Sequence, residues 1–385
     1  MLYVHIPFCA HKCHYCDFNS HVRTEPLWQS YADALAQELI HWSGQHNFKG
    51  RPVSSVFIGG GTPSLMPPPL LASLIATIQS CFSLDPQAEI TIEANPGSSD
   101  QHHFSDYRNA GINRISIGVQ SLDAEELRWL ERIHSPDEAL AAFQAARAAG
   151  FTNVNLDAMY GLPGQTLDHW QQTLHRLIQL NPEHLSCYQL TVEPHTRLAA
   201  QHAQSPYALP QEEASLAFFQ YTRHTLRAFG YQPYEISNFS RSGYHCRHND
   251  GYWLYRDYLG IGAGASGKWD EWEHDKAPAG CHRYTNIKTP EKYIRSVQKN
   301  GFAIRQSETL DLNQAAAEAI WLGLRRKDGI DKQWFEDRFQ QPLAQFIQPA
   351  LTPWLISGDV RLNNAGIQLS EQGIVLADSI SAAIL

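Results

Sequence analysis

Six β-rich runs, each followed by a helical pattern, fill the first 230 residues of this 385-residue chain. The strand candidates are Leu2–Ile6, Val53–Ile58, Glu89–Glu93, Arg114–Val119, Asn153–Ala158 and Leu185–Leu190. The helix candidates between and after them are Trp28–Trp42, Pro69–Ile78, Asp100–Ala110, Ser135–Ala149, Thr166–Leu180 and Pro210–Phe229. In the first of these, apolar residues recur at 28, 31, 32, 35, 39 and 42, close to a 3.6-residue period. Ser135 reads as an N-cap with Pro136 at the first helical position, and Gly150 as a stop. Repeated strand–helix units demand a parallel sheet, since parallel neighbours need a crossover. Six units are too few for a complete eight-unit barrel, which leaves a doubly wound sheet or an incomplete (β/α)6 barrel.

Beyond Gly230 the pattern changes. Pro233–Phe239 reads as a further strand, Ser242–Gly267 as a Gly-, Tyr- and His-rich site-bearing loop, and Lys276–Gly280 as a turn. From Asp311 a compact tail follows. Its predicted helices are Leu312–Arg325, Lys332–Phe339 and Pro342–Ser357, ahead of short strands near Val360–Leu362 and Ile367–Leu369. The expected units are residues 1–230 (the partial barrel), 231–310 (a barrel extension with a candidate binding loop) and 311–385 (a small helical, winged-helix-like domain). The tail has no dense basic stripe, and the chain carries 30 Lys and Arg against 39 Asp and Glu, a net charge of −9. Nucleic acid is therefore not an expected partner. No apolar run approaches a membrane span of about 18 residues, and no signal peptide is read at the start, so a cytoplasmic location is expected.

Three of the seven cysteines crowd into Cys9-Ala-His-Lys-Cys13-His-Tyr-Cys16, directly after the first strand. Cys81, Cys187, Cys246 and Cys281 are scattered, and an odd count fits isolated thiols in a reducing compartment rather than a disulfide framework. Three thiolates at C-x3-C-x2-C spacing can hold one metal centre from a single loop. A four-iron cube held by three cysteines keeps one iron without a protein ligand. Structural zinc is the competing reading, with His5, His11, His14 and His21 near. Polar groups then fall at successive strand ends: Gly59-Gly60-Gly61-Thr62-Pro63 after the second strand, Glu93 after the third, Gln120 after the fourth and Asp157 in the fifth. In a parallel barrel this is the rim where active sites collect.

The C-x3-C-x2-C string with Tyr15 before its last cysteine resembles the radical S-adenosylmethionine (SAM) superfamily. Tyr3-Val-His-Ile-Pro-Phe-Cys9, Gly59-Gly-Gly-Thr-Pro63, Ile92-Glu-Ala-Asn-Pro96, Ser116-Ile-Gly-Val-Gln120, Arg132 and Asn155-Leu-Asp-Ala-Met-Tyr-Gly-Leu-Pro163 resemble its coproporphyrinogen-dehydrogenase-like group over roughly residues 1–310. The resemblance implies a [4Fe-4S] cluster on Cys9, Cys13 and Cys16. It also implies a SAM site lined by Tyr3, Tyr15, Gly60, Gly61, Thr62, Glu93, Gln120, Arg132 and Asp157. Arg132 suits the SAM carboxylate, Gly60, Gly61 and Thr62 its amino end, and Asp157 and Gln120 its ribose hydroxyls.

Two departures from the dehydrogenase, Phe18 in place of a fourth cysteine and a first strand starting at residue 2, resemble the HemW-type heme chaperones of that group. The string His248-Asn-Asp-Gly-Tyr252-Trp253 is similar to their heme-associated motif, with His248 as the implied iron ligand and Cys246 as a further candidate. The expected role is to bind heme, the cluster and SAM and to deliver heme to an acceptor protein that the sequence does not identify. A homodimer is one way the cluster and SAM could gate transfer. No residue is assigned as catalytic. The rival reading is an enzyme, oxygen-independent oxidative decarboxylation of coproporphyrinogen III, which the barrel residues serve equally. A structural zinc protein is the third.

Overall fold

A computed structural model of the chain describes residues 1–23, 27–45, 47–97, 102–273 and 277–384. Its centre is a nine-stranded sheet. Six strands in chain order, Leu2–Ile6, Pro52–Gly60, Ser83–Ala94, Arg114–Gln120, Val154–Tyr160 and His184–Gln189, lie side by side and parallel. This is the expected incomplete (β/α)6 barrel. Helices Trp28–Ser43, Pro68–Cys81, Pro136–Ala148, Leu167–Gln179 and Glu212–Ala228 cover it. Their apolar faces join the strand residues in one core that includes Leu35, Ile58, Leu74, Ile92, Phe143, Leu156 and Trp170.

Local sequence explains the element ends. Ser135 and Glu138 form a reciprocal capping box: the Glu138 N–H donates to Ser135 Oγ at 3.2 Å, and the Ser135 N–H donates to Glu138 Oε2 at 2.8 Å. Thr166 caps the next helix through the His169 N–H. The predicted helix Asp100–Ala110 is the shorter Phe104–Asn109, and Asp100 lies outside the described residues.

Three corrections fall after Gly230. The stretch 242–267 is not a plain loop. It holds helix Arg247–Trp253 and strand Leu259–Ile261, and this strand joins the barrel parallel to Leu2–Ile6. Pro233–Phe239 is not one strand but a hairpin of Gln232–Pro233 and Asn238–Ser240 on the opposite edge. The Glu235 carboxylate forces the reversal by accepting from the Ser237 N–H and Asn238 Nδ2, both at 2.7 Å. Residues 277–280, expected as part of a turn, already belong to a strand, because Ser266–Glu273, Ala277–Asn286 and Ile304–Leu310 form a three-stranded antiparallel sheet; Lys276 lies outside the described residues.

Glu38, fully buried on the first helix, ties these additions to the barrel. Its carboxylate accepts from the Gly262 N–H at 2.9 Å, Asn286 Nδ2 at 2.9 Å and the Tyr293 hydroxyl at 2.6 Å. Tyr293 belongs to helix Pro290–Asn300, which packs against the first helix. Burial pushes the Glu38 carboxyl up to about 7 even with these donors.

The tail follows its predicted plan in outline, with an added strand Ile330–Asp331, a split helix and a final helix Ala377–Ala382 that were not expected. Helices Leu312–Gly323 and Lys332–Phe339 flank strand Ile330–Asp331, which forms a three-stranded sheet with Gly366–Leu369 and Val360–Leu362. The single helix expected over 342–357 is two, Leu343–Ile347 and Thr352–Ser357. Pro349 lies between them and has no N–H to continue the ladder. The tail has its own core, around Ile320, Phe335, Ile347 and Ile367, and that core also takes in Tyr255 and Cys281.

A candidate three-thiol site on the barrel rim

The loop after the first strand carries the three cysteines and is fastened at both ends. On one side the Gly61 N–H donates to Ile6 O and the Thr62 N–H to Phe8 O, both at 2.8 Å. On the other, Asn19 Nδ2 donates to Ala263 O and Lys288 O, while His5 Nε2 lies 2.8 Å from Asn19 O. The glycines are required by this closeness. A Cβ on Gly61 would stand 2.7 Å from Phe8 O and 2.9 Å from Cys9 Sγ; one on Gly60, whose φ is +120°, would stand 2.5 Å from the His5 ring.

Cys9, Cys13 and Cys16 share a cavity of about 400 Å³ with Tyr15, Gly60, Gly61, Thr62, Glu93, Gln120, Arg132 and Asp157. Ligand clefts commonly run from about 300 to 1,000 Å³. Burial pushes the Cys9 and Cys16 thiols up, and the neighbouring cysteines add to the rise. Among the described residues no three His, Cys, Asp or Glu groups converge on a point that one ion could occupy.

The donors around the thiols are preset. Thr62 Oγ1 donates to Cys9 Sγ at 3.5 Å and accepts from Asn95 Nδ2 at 2.9 Å. Arg132 donates to Asn95 Oδ1 at 2.5 Å and to Gly118 O at 2.9 Å, with Nη1 3.8 Å from Cys13 Sγ. Its Nε is buried with no partner among the described residues. Gly118 makes room for this cluster: a Cβ there would stand 3.0 Å from Gln120 Nε2 and 3.4 Å from Arg132. Gln120 ends its strand at φ +65°.

Two carboxylates complete the wall. Glu93 Oε2 accepts from the Gly60 N–H at 2.9 Å. Asp157 accepts from Ser116 Oγ at 3.1 Å and Asn155 Nδ2 at 2.8 Å. Burial raises both, and the Asp157 charge adds to the rise at Glu93, which reaches about 7. A cationic ligand would reverse this cost. The cavity thus offers an unpaired guanidinium donor on one side and two buried carboxylates, with Arg114 as their nearby cation, on the other. The zwitterionic amino-acid end of SAM needs that polarity, so the residues fit the cluster and SAM together.

Two expected residues lie elsewhere. Tyr3, deeper in its strand, holds His5 Nδ1 at 2.9 Å and lines a second, inner cavity of about 190 Å³. His248 lines the same inner cavity and is 1% exposed. Ser55 Oγ and the Tyr252 hydroxyl each lie 2.9 Å from one of its ring nitrogens, and Phe57 stacks on it at 5.3 Å. Burial lowers it to about 3, so the ring is neutral. In this arrangement His248 is a barrel-floor residue with no nitrogen free for iron. Cys246 is likewise buried, against Glu89, with its thiol raised to about 12. Asn95, Ser116 and Tyr188 are among the wall residues that were not anticipated. Asn95 follows Glu93 by two in an alternating strand end, and Ser116 precedes Gly118 by two, so period-2 reading could have found both.

The partial barrel with three thiols on its rim defines a radical SAM protein, and residues 3–177 match the Radical SAM superfamily. Residues 310–376 match the HemN C-terminal domain. "Heme chaperone HemW" of Escherichia coli (strain K12) is 46% identical over 268 residues, covering 69% of each chain. "Heme chaperone HemW" of Bacillus subtilis (strain 168) is 32% identical over 388 residues, covering 100% of this chain and 98% of that one. The chain belongs to the HemW family. The solved structure of coproporphyrinogen III oxidase (HemN) from Escherichia coli, described as a radical SAM enzyme, superposes with a TM-score of 0.83 at 28% identity, covering 100% of this chain and 89% of that one. Among the described residues no helix is long and apolar enough to cross a membrane.

Proposed function

We propose that this protein binds a [4Fe-4S] cluster on Cys9, Cys13 and Cys16, SAM beside it, and heme, and that it hands heme to an acceptor protein in the cytoplasm. Membership of the HemW family is the observation that carries the heme reading. The polarity of the rim cavity supports the cluster and SAM. When bound, the cluster supplies one-electron chemistry at the SAM sulfonium. The chain's own groups do the positioning. Arg132 Nε and the neighbouring guanidinium nitrogens take the carboxylate of SAM, and Glu93 faces its ammonium. Asp157, held by Ser116 and Asn155, takes ribose hydroxyls together with Gln120. The thiols release their protons on metal binding.

A second reading, oxidative decarboxylation of coproporphyrinogen III, is favoured by the whole-chain overlap with HemN. Against it stands Phe18, 59% exposed on the rim of the cavity, where the notable feature of the dehydrogenase is a fourth cysteine. The deciding experiment gives reconstituted protein SAM, reductant and coproporphyrinogen III without oxygen, beside a heme titration of the same sample. Stoichiometric heme uptake without protoporphyrinogen is expected. Protoporphyrinogen formation at catalytic turnover overturns the chaperone reading.

A further inference from the structure

Arg114, Ser116, Gly118 and Gln120 alternate along the fourth barrel strand and form a column on its inner face. Ser116, Gly118 and Gln120 line the rim cavity, while Arg114 and Ser116 line the inner cavity of about 190 Å³. Glu93, Asp157 and Tyr188 also border both spaces, so with Ser116 they form the partition between them. In the sheet register Ser116 lies beside Glu93 and Gly118 beside Asp157. Arg114 therefore starts one inward step below the level of Glu93, and a step is about 7 Å along the strand. It is 1% exposed, and its Nε and Nη1 have no partner among the described residues. Glu89, whose charge also reaches it, is engaged by the Arg247 N–H at 3.1 Å and the His248 N–H at 3.2 Å. A buried guanidinium left so is costly unless nearby carboxylates offset its charge.

Among the described residues no other wall of the inner cavity is charged positive at pH 7. Burial drives His248 down to about 3 and Cys246 up to about 12, and it raises Tyr3, Tyr188 and Tyr252, so all of these are neutral. His184, bonded to Asn155, and Tyr234, bonded to Asn249, are neutral on the same ground. On the rim side, Arg132 is engaged by Asn95 and Gly118. We propose that Arg114 is a positioning residue for the SAM site: from below the partition its charge keeps the Glu93 and Asp157 carboxylates ionised, ready for the ammonium and the hydroxyls of SAM. The inference rests on the SAM reading above and adds a residue that itself touches no ligand. Burial raises both carboxyls, and the Arg114 charge works against that rise at each of them.

The test is anaerobic calorimetry of SAM binding to the full, cluster-loaded chain across the pH range 6 to 9, with iron and sulfide per chain as the check of fold. Arg114→Met keeps the stem and removes the charge. Its affinity profile should keep its shape and move up by about one pH unit, the displacement a lost opposite charge gives a carboxyl. At pH 7.5 this is about threefold weaker binding, and by pH 9 the wild-type affinity returns. Arg114→Lys preserves the buried charge, so it tests the inference even if the methionine variant does not assemble; it should keep the wild-type inflection. Unaltered binding by Arg114→Met, or equal weakening at every pH, overturns the inference, and so does a lysine profile displaced by about one pH unit. Absence of SAM binding by the wild type overturns the SAM reading itself.

Discussion

The backbone N–H of Gly60 donates to Oε2 of Glu93 at 2.9 Å, joining the glycine turn after the second strand to the end of the third. One carboxylate oxygen is thereby fixed, and the residue lines the rim cavity. Burial holds this group near 7. A carboxylate binds an ammonium and a carboxylic acid does not, so SAM affinity should rise as pH climbs toward and through 7. Glu93→Gln should flatten that profile and weaken SAM about ten- to hundredfold, since a charged hydrogen bond contributes about 1.5–3 kcal/mol. Calorimetry at pH 6 and 8 checks both.

Cys13 sits beneath Arg132, with Sγ 3.8 Å from Nη1. Cys13→Ser should leave the barrel folded but lose the cluster, with less than about a tenth of wild-type iron and no broad absorption near roughly 400 nm. A full iron complement in this variant would remove Cys13 from the ligand set.

Gly61→Ala tests the cradle. The added methyl would meet the Phe8 carbonyl and Cys9 Sγ inside contact distance, with backbone on one side that cannot turn away. The expected cost is about 1–3 kcal/mol, with displacement of the first thiol. Thermal unfolding reads the first effect and iron content the second.

Glu38 gives a stability profile. Its folded pKa is raised to about 7 by burial, above the ordinary value of 4.5. Between those values the folded chain holds a proton that the unfolded chain has released, so stability falls as pH rises from about 4.5 to 7. The loss is about 3 kcal/mol once pH exceeds 7. Glu38→Gln keeps a donor and acceptor in place and should abolish this slope. Denaturant midpoints at pH 5 and 8 that differ equally in variant and wild type would refute it.

The barrel was legible because each strand–helix unit announces itself locally. Period-2 runs, the Ser135 cap and the Gly150 stop require no knowledge of the rest of the fold. Strand-end groups such as Glu93 and Asp157 were legible for the same reason. The region after Gly230 was not, because its order comes from distant partners. Leu259–Ile261 is three residues long and becomes a strand only by pairing with Leu2–Ile6. His248 was read as a ligand because its string resembles a heme-associated motif. Which way the ring faces depends on Ser55, 193 positions earlier, and no local pattern encodes that contact.

The two margins of the sheet carry a consequence for self-association. One margin is the three-residue strand Leu259–Ile261, and the other is Gln232–Pro233, where proline offers no N–H. Such blunted borders give a neighbouring copy almost nothing to zip onto. If two copies of this protein pair, they do not do so by extending this sheet, and the barrel interior of each stays private to its own chain.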